Sequence, residues 1–297
     1  MERNKAGSVN IIADLTKEIA KNFLMGIPSV RRLRLKRPRT ATAYANTDEF
    51  LKTYAFNGLN ILREHVGDLR GKSICEIGAG DYLTSGLSIL ASGANSYTVI
   101  DRFPGDYYGE TAKFWYKQIE DNWQRFYPEI PWDKTLDAKN FPENSAGKVE
   151  IIKEPIETAE TKRKFDVVCS FQVGEHVSDI DAFAEIHLRL LKTDGIGLHR
   201  VDFGPHDCWF YYRDPTTFLR FPDAFWRLTS TNRGTPNRRR HHEFMATFER
   251  AGLNAEVLLL DFFDETTVNF ELLNKKFVTM PRDSLRVVTA IYRLSKK

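Results

Sequence analysis

The chain is predicted to be an α/β protein with a doubly wound, mainly parallel sheet of seven strands, and three observations predict it. Residues 73–101, SICEIGAGDYLTSGLSILASGANSYTVID, read as strand, glycine turn, helix and strand in succession. Five further short apolar runs follow, at residues 149–152, 165–170, 195–201, 256–262 and 286–293, with helical patterns between the later ones. An acid, Asp101, stands at the tip of the second strand. That is where a nucleoside-binding sheet places a ribose acceptor.

Residues 1–70 read as a helical extension. Ile11, Leu15, Ile19 and Phe23 recur at helical spacing, and a second helix is predicted over 48–65 with Phe50, Leu51, Tyr54, Leu59 and Leu62 apolar. Asp48 precedes Glu49 and the apolar run, as a helix start does. The sheet domain then occupies 71–297. Its first strand is 73–77, its first helix carries Leu83, Leu87, Leu90 and Ala91, and its second strand is 97–100. Helices are predicted over 180–191 and 243–251, with Gly195 and Gly252 beyond their ends. Two segments, about 102–148 and 203–239, exceed what a simple crossover needs and hold more than half of the chain's aromatic residues. They are expected to be aromatic-rich insertions that cover the crevice at the carboxyl ends of the strands and stack on a ring-shaped substrate. A satellite core or a dimer contact is the alternative use of such rings.

Gly78 and Gly80 allow the backbone to approach a ligand closely, with Ala79 between them. Asp101, about twenty residues on, is placed to accept hydrogen bonds from both ribose hydroxyls. A dinucleotide site wants a third glycine at position 83, where this chain has Leu83. Glu76 puts a carboxylate in the first strand, which suits a ligand with a positive centre and no phosphates. S-adenosylmethionine fits that description better than NAD.

The stretch resembles the first two motifs of the class I S-adenosylmethionine-dependent methyltransferases, an acid followed by Gly-x-Gly-x-Gly. Here the motif reads Glu76, Gly78, Gly80 and then Tyr82 in place of the last glycine. The resemblance covers about 71–297 less the two insertions, and implies a Rossmann-like fold with its last two strands at an antiparallel edge. It also implies that Asp101 and Arg102 meet the ribose end of the cofactor, and that Glu154 or Glu157 with Ile156 meet the adenine. Phe171 and Gln172 would then line its methionine or adenosine side.

FQVGEHVSD, residues 171–179, resembles the Glu-His motif that follows the fourth strand in small-molecule methyltransferases, which sets His176 near the transferred methyl group. Some relatives add a second glutamate in this loop to ligate a divalent cation. Gln172 stands at that position, so no metal is expected. Residues 195–207, GIGLHRVDFGPHD, place His199, Asp202, His206 and Asp207 at the end of a strand. A base is expected among His176, His199 and His206, supported by Asp202 or Asp207, because a hydroxyl acceptor sheds a proton as it is methylated. By strand alternation His199 can instead point into the core. His241 and His242 are expected to begin a helix surface.

A net charge of +3, with 42% hydrophobic and 28% charged residues, describes an ordinary globular chain and gives no footprint for nucleic acid. No apolar stretch approaches the roughly 20 residues of a membrane span, and Ile11–Leu24 is too interrupted for a signal peptide, so a cytoplasmic location is expected. Cys75, Cys169 and Cys208 have no metal-binding spacing, and the first two fall in strands as small core residues. The cluster Arg31–Arg39 would suit a peripheral membrane contact, and Arg233 with Arg238–Arg240 a phosphate or acidic sugar. The expected activity is O-methylation of a small molecule, a sugar or glycan intermediate first, as in surface-polysaccharide biosynthesis. The alternatives are a non-catalytic scaffold, with a homodimer open to either, and an RNA methyltransferase, for which no Asn/Asp-Pro-Pro-Tyr motif or RNA-binding module is present.

Overall fold

Seven strands form one sheet: β1 (Ser73–Ile77), β2 (Ser96–Ile100), β3 (Val149–Ile152), β4 (Phe165–Phe171), β5 (Leu191–Asp202), β6 (Leu253–Phe262) and β7 (Val287–Lys296). Their order is β3-β2-β1-β4-β5-β7-β6, with β7 antiparallel. The computed structural model describes residues 10–35, 46–145 and 147–297. Of the basic cluster expected to face a membrane, Lys36, Arg37 and Arg39 lie outside the described residues. Among the described residues no helix is long and apolar enough to cross a membrane.

The parallel pairing is in register from Ser73 opposite Ser96 to Ile77 opposite Ile100, and Cys75 lies opposite both Thr98 and Val168. Ile74 through Ile77 are all buried, as a strand covered on both faces requires. Cys75 and Cys169 are core fillers, as expected.

Among the described residues the helices are, in chain order, α1 (Ile11–Met25), α2 (Pro28–Leu35), α3 (Thr47–Phe50), α4 (Asn57–Val66), α5 (Thr84–Ala91), α6 (Glu110–Phe126), α7 (Ile180–Leu190), α8 (Asp223–Arg227), α9 (His241–Arg250), α10 (Lys275–Val278) and α11 (Arg282–Arg286). Every residue of α5 is buried. Gly86 makes that possible, since a Cβ there would come within 2.4 Å of the Tyr97 ring. The helix therefore meets the sheet through Gly86, three residues beyond the position where a dinucleotide fold uses glycine.

The single helix expected over 48–65 is broken. A π turn at Leu51–Ala55 separates α3 from α4, which buries Phe50, Leu51, Ala55, Phe56 and Leu59 together. Phe50 stacks on Trp115 at 3.6 Å. The helix start is capped by Asn46, not Asp48, whose carboxylate instead pairs with Arg125 at 2.6 Å.

The chain divides into two compact units. One comprises Leu35–Phe171, Ala182–Leu198 and Leu294–Lys297; the other comprises Met1–Arg34, Gln172–Asp181 and His199–Arg293. The first long insertion belongs to the former. Its longest element is α6, whose Trp115, Tyr116, Ile119 and Trp123 are buried, so these residues fill a core, while Tyr108 and Phe114 are exposed. The second insertion belongs to the latter unit. Trp209, Phe218, Leu219 and Trp226 form a second core with Leu273, Phe277 and Leu285, and Ile11 and Leu15 of α1 pack against it. Most of the aromatic residues expected to wall a crevice are thus structural.

In the same unit α1 is anchored by polar groups. Glu18 pairs with Arg233 at 2.5 Å, and Asn22 bonds Leu228 O, Thr231 Oγ1 and the Asn232 N–H. The predicted apolar stripe is accordingly turned: Phe23 is exposed, and Glu18 and Asn22 are buried.

Candidate active site

Two groups of predicted residues assemble, one in each unit. The first is the glycine turn. Gly78 and Gly80 take φ of 74° and 76°, in the left-handed region that glycine enters without strain. A Cβ on Gly80 would meet nothing within 4 Å, so the space above the turn is open. The Gly78 N–H is held by Ile100 O at 2.8 Å, which ties the turn to the end of β2.

Asp101 follows at once and is nearly buried. Its carboxylate accepts from the Gly80 N–H at 3.2 Å, the Phe103 N–H at 2.7 Å and the Tyr107 hydroxyl at 3.2 Å. Tyr107 is itself fixed, because its carbonyl accepts from Tyr116 Oη, which in turn accepts from the Leu83 N–H. An aspartate offers about four lone-pair positions, so this one is already largely engaged.

Glu76 is buried within the same unit, where the Tyr97 hydroxyl donates to it at 2.5 Å. Burial pushes its carboxyl up to about 7; the Tyr97 bond opposes that and the Asp101 charge adds to it. Ala79 is half-buried in the turn, and Arg102 is exposed with its guanidinium 5.1 Å from the Phe103 ring. Glu154 is exposed, whereas Ile156 is buried and its carbonyl accepts from Arg189 at 3.1 Å. Phe171 lies against Gly58, where an added Cβ would come within 2.7 Å of its ring. These residues can hold a nucleoside: the open face over Gly80 leaves room, and Asp101 supplies the acceptor.

The second group lies in the other unit. Glu175 and His176 sit on a 3-10 turn, Asp202 ends β5, and His206 precedes a second 3-10 turn. His176 Nε2 is 3.8 Å from Glu175 Oε1, His206 Nε2 is 3.5 Å from Asp202 Oδ2, and the two imidazoles meet edge to face at 5.0 Å. Local packing enforces this. Gly174 lets the turn approach β5, since a Cβ there would meet Val201 at 2.8 Å. Asn237 clamps the same turn by donating to Gly174 O, Val177 O and Glu175 O.

Glu175 is buried, and neither of its oxygens has a hydrogen-bond partner. Burial pushes its carboxyl up to about 8, with the Asp202 charge adding and His206 opposing. Burial alone would lower the His206 pKa, but the bond and charge of Asp202 outweigh it and raise the imidazole. Burial would likewise raise Asp202, and His206 with the Gly204 N–H holds it below the usual carboxylate range.

Other expected residues go elsewhere. His199 is fully buried within β5 and does not join the group. Gln172 is exposed with φ 60°, its N–H on Arg200 O at 2.8 Å. Asp207 pairs with Arg233, which also binds Glu18. Arg238 is buried against Trp226 and Phe277, with Phe218 O, Phe221 O and Asp223 as acceptors. Arg240 is buried over Phe203 and donates to Phe203 O at 2.8 Å. The expectation that these arginines face a phosphate or acidic sugar is therefore corrected for Arg233, Arg238 and Arg240; they hold the unit together. His241 and His242 begin α9, as expected, but are half-buried there and bonded to Tyr292 and Ser284. Sequence reasoning passed over Tyr107, Asn237 and the chemistry of Glu175; a glutamate beside a histidine just after a buried strand was the available signal.

The family described as "Methyltransferase domain" matches residues 48–257. No protein of curated function matches the chain. An S-adenosylmethionine-dependent methyltransferase from Mesorhizobium loti is similar at 12% identity, over 82% of this chain and 99% of that one, with a TM-score of 0.44. A TehB-like SAM-dependent methyltransferase from Corynebacterium glutamicum is similar at 12% identity, over 91% of this chain and 96% of that one, with a TM-score of 0.41.

Proposed function

The chain belongs to the methyltransferase-domain family and is S-adenosylmethionine-dependent, and on that premise we propose that it methylates a hydroxyl of a small molecule, a sugar or glycan intermediate first. When bound, S-adenosylmethionine supplies an electrophilic methyl group. Gly78 and Gly80 give it a close backbone approach, and Asp101 offers the acceptor for its ribose.

The observation that carries the hydroxyl reading is the gathering of Glu175, His176, Asp202 and His206 in one partly exposed cluster. Displacement from a sulfonium asks the protein mainly for alignment, but an oxygen nucleophile must also lose a proton. The Asp202–His206 pair can receive it. Asp202 is fixed by the Gly204 N–H at 2.7 Å, so its carboxylate is oriented before any acceptor arrives. A sugar is favoured because the 3-10 turn that begins after His206 carries two exposed rings, Phe210 and Tyr211. Aromatic faces of that kind stack on the C–H face of a pyranose.

The test is a panel of nucleotide sugars, free glycosides and phenols incubated with S-adenosylmethionine carrying a labelled methyl group. A labelled methyl ether on a sugar hydroxyl is the expected product. Label on nitrogen or carbon, or only on phenols, would overturn the assignment of the acceptor.

A further inference from the structure

A buried carboxylate with no hydrogen-bond partner is rare in a folded protein, and each case calls for an explanation. Glu175 is such a case, and it does not stand alone. One oxygen of Glu175, one nitrogen of His176 and one nitrogen of His206 all lie within 4.8 Å of one another. The contacts within the cluster run at 3.8 Å between His176 and Glu175 and 3.5 Å between His206 and Asp202, long for hydrogen bonds. Ligand atoms that share one tetrahedral ion at bonds of about 2.1 Å stand roughly 3.4 Å apart. Side-chain shifts on the order of 1 Å would bring the three to that spacing.

We propose that Glu175, His176 and His206 form a seat for a single divalent transition ion. The donor set, one carboxylate and two imidazoles, suits zinc or manganese; calcium and magnesium prefer all-oxygen shells. Glu175 is the buried anchor, and the ion supplies the positive partner its carboxylate lacks. His176 and His206 are partly exposed, which leaves a coordination position for a ligand from solvent. The turn is held from behind by the three bonds of Asn237, the sort of outer support that fixes metal ligands. The expectation that Gln172 excludes a metal looked at a residue this set does not use.

The role of the ion deepens the hydroxyl reading and rests on it; the binding does not. An ion here would draw electron density from the acceptor oxygen, and its proton would pass to Asp202. The oxygen's electron pair then forms the bond to the methyl carbon as the carbon–sulfur bond breaks, with that bond's pair remaining on sulfur. With His206 ligated, Asp202 is the member of the pair that takes the proton.

The test uses the whole chain, freed of any affinity tag and stripped with a chelator, titrated with zinc and separately with manganese. Bound metal is counted by mass spectrometry, and S-adenosylhomocysteine affinity is measured on the same samples. One ion per chain is expected, weakened at least tenfold in Glu175→Gln and in His206→Asn, with S-adenosylhomocysteine affinity unchanged in both. Failure of either metal to bind stoichiometrically overturns the seat, as does binding that survives both substitutions. Hydroxyl methylation that continues undiminished in excess chelator overturns the ion's role while the acceptor assignment stands. Stoichiometric, substitution-sensitive binding with no hydroxyl turnover supports the seat and overturns that assignment.

Discussion

The glycine turn and the Glu175 cluster are both built at the carboxyl ends of strands, yet they are finished to different degrees. Asp101 accepts from three donors of its own chain, whereas Glu175 accepts from none. A satisfied carboxylate contributes to folding and is preorganised; a bare buried one costs stability. The first region is thus preorganised for the cofactor proposed to bind there, and the second lacks the ion proposed to complete it. Removing the two acids should accordingly have opposite consequences.

The largest effect should come at Asp101. Asp101→Asn leaves the Gly80 N–H, the Phe103 N–H and the Tyr107 hydroxyl with a poorer acceptor and should destabilise the protein by about 3 kcal/mol in urea unfolding. Of comparable size is a pH effect at Glu76. Its carboxyl stands at about 7 in the folded chain against 4.5 ordinarily, so the folded form keeps a proton that the unfolded chain releases. The carboxyl therefore costs nothing below pH 4.5, costs more as pH rises to 7, and costs about 3 kcal/mol above that. Glu76→Gln should remove that part of the slope when unfolding is followed from pH 4 to 8.

Glu175→Gln should act the other way. In the metal-free protein it should raise stability by about 1–2 kcal/mol in urea unfolding, while in the metal-loaded protein methyl transfer falls at least tenfold. A destabilised Glu175→Gln would mean that the carboxylate is already satisfied, and the comparison would fail. The smallest effect sharpens the first region: Tyr107→Phe frees one acceptor position on Asp101 and should tighten S-adenosylhomocysteine binding by a few-fold in calorimetry.

The two regions also differ in how far the sequence reveals them. The glycine turn and Asp101 lie within one βαβ unit, so Gly78, Gly80 and Asp101 are read from spacing alone. The cluster joins segments about thirty residues apart, and its members are visible one by one but not as a set. His199 shows why: β alternation left it either at the rim or in the core, and burial decides for the core. Arg238 and Arg240 show the opposite failure, since a run of arginines suggests a charged surface until Phe218, Phe221 and Phe203 turn out to offer their carbonyls to it. Gly86 is legible only afterwards, because its reason is the Tyr97 ring on a neighbouring strand.

The most direct measurement is a calorimetric titration of S-adenosylhomocysteine into the wild-type chain, Asp101→Ala and Glu175→Gln under one set of conditions. Micromolar binding by the wild type, lost at least hundredfold in Asp101→Ala and unchanged in Glu175→Gln, is the predicted result. No binding by the wild type, or an equal loss in both variants, would contradict the account.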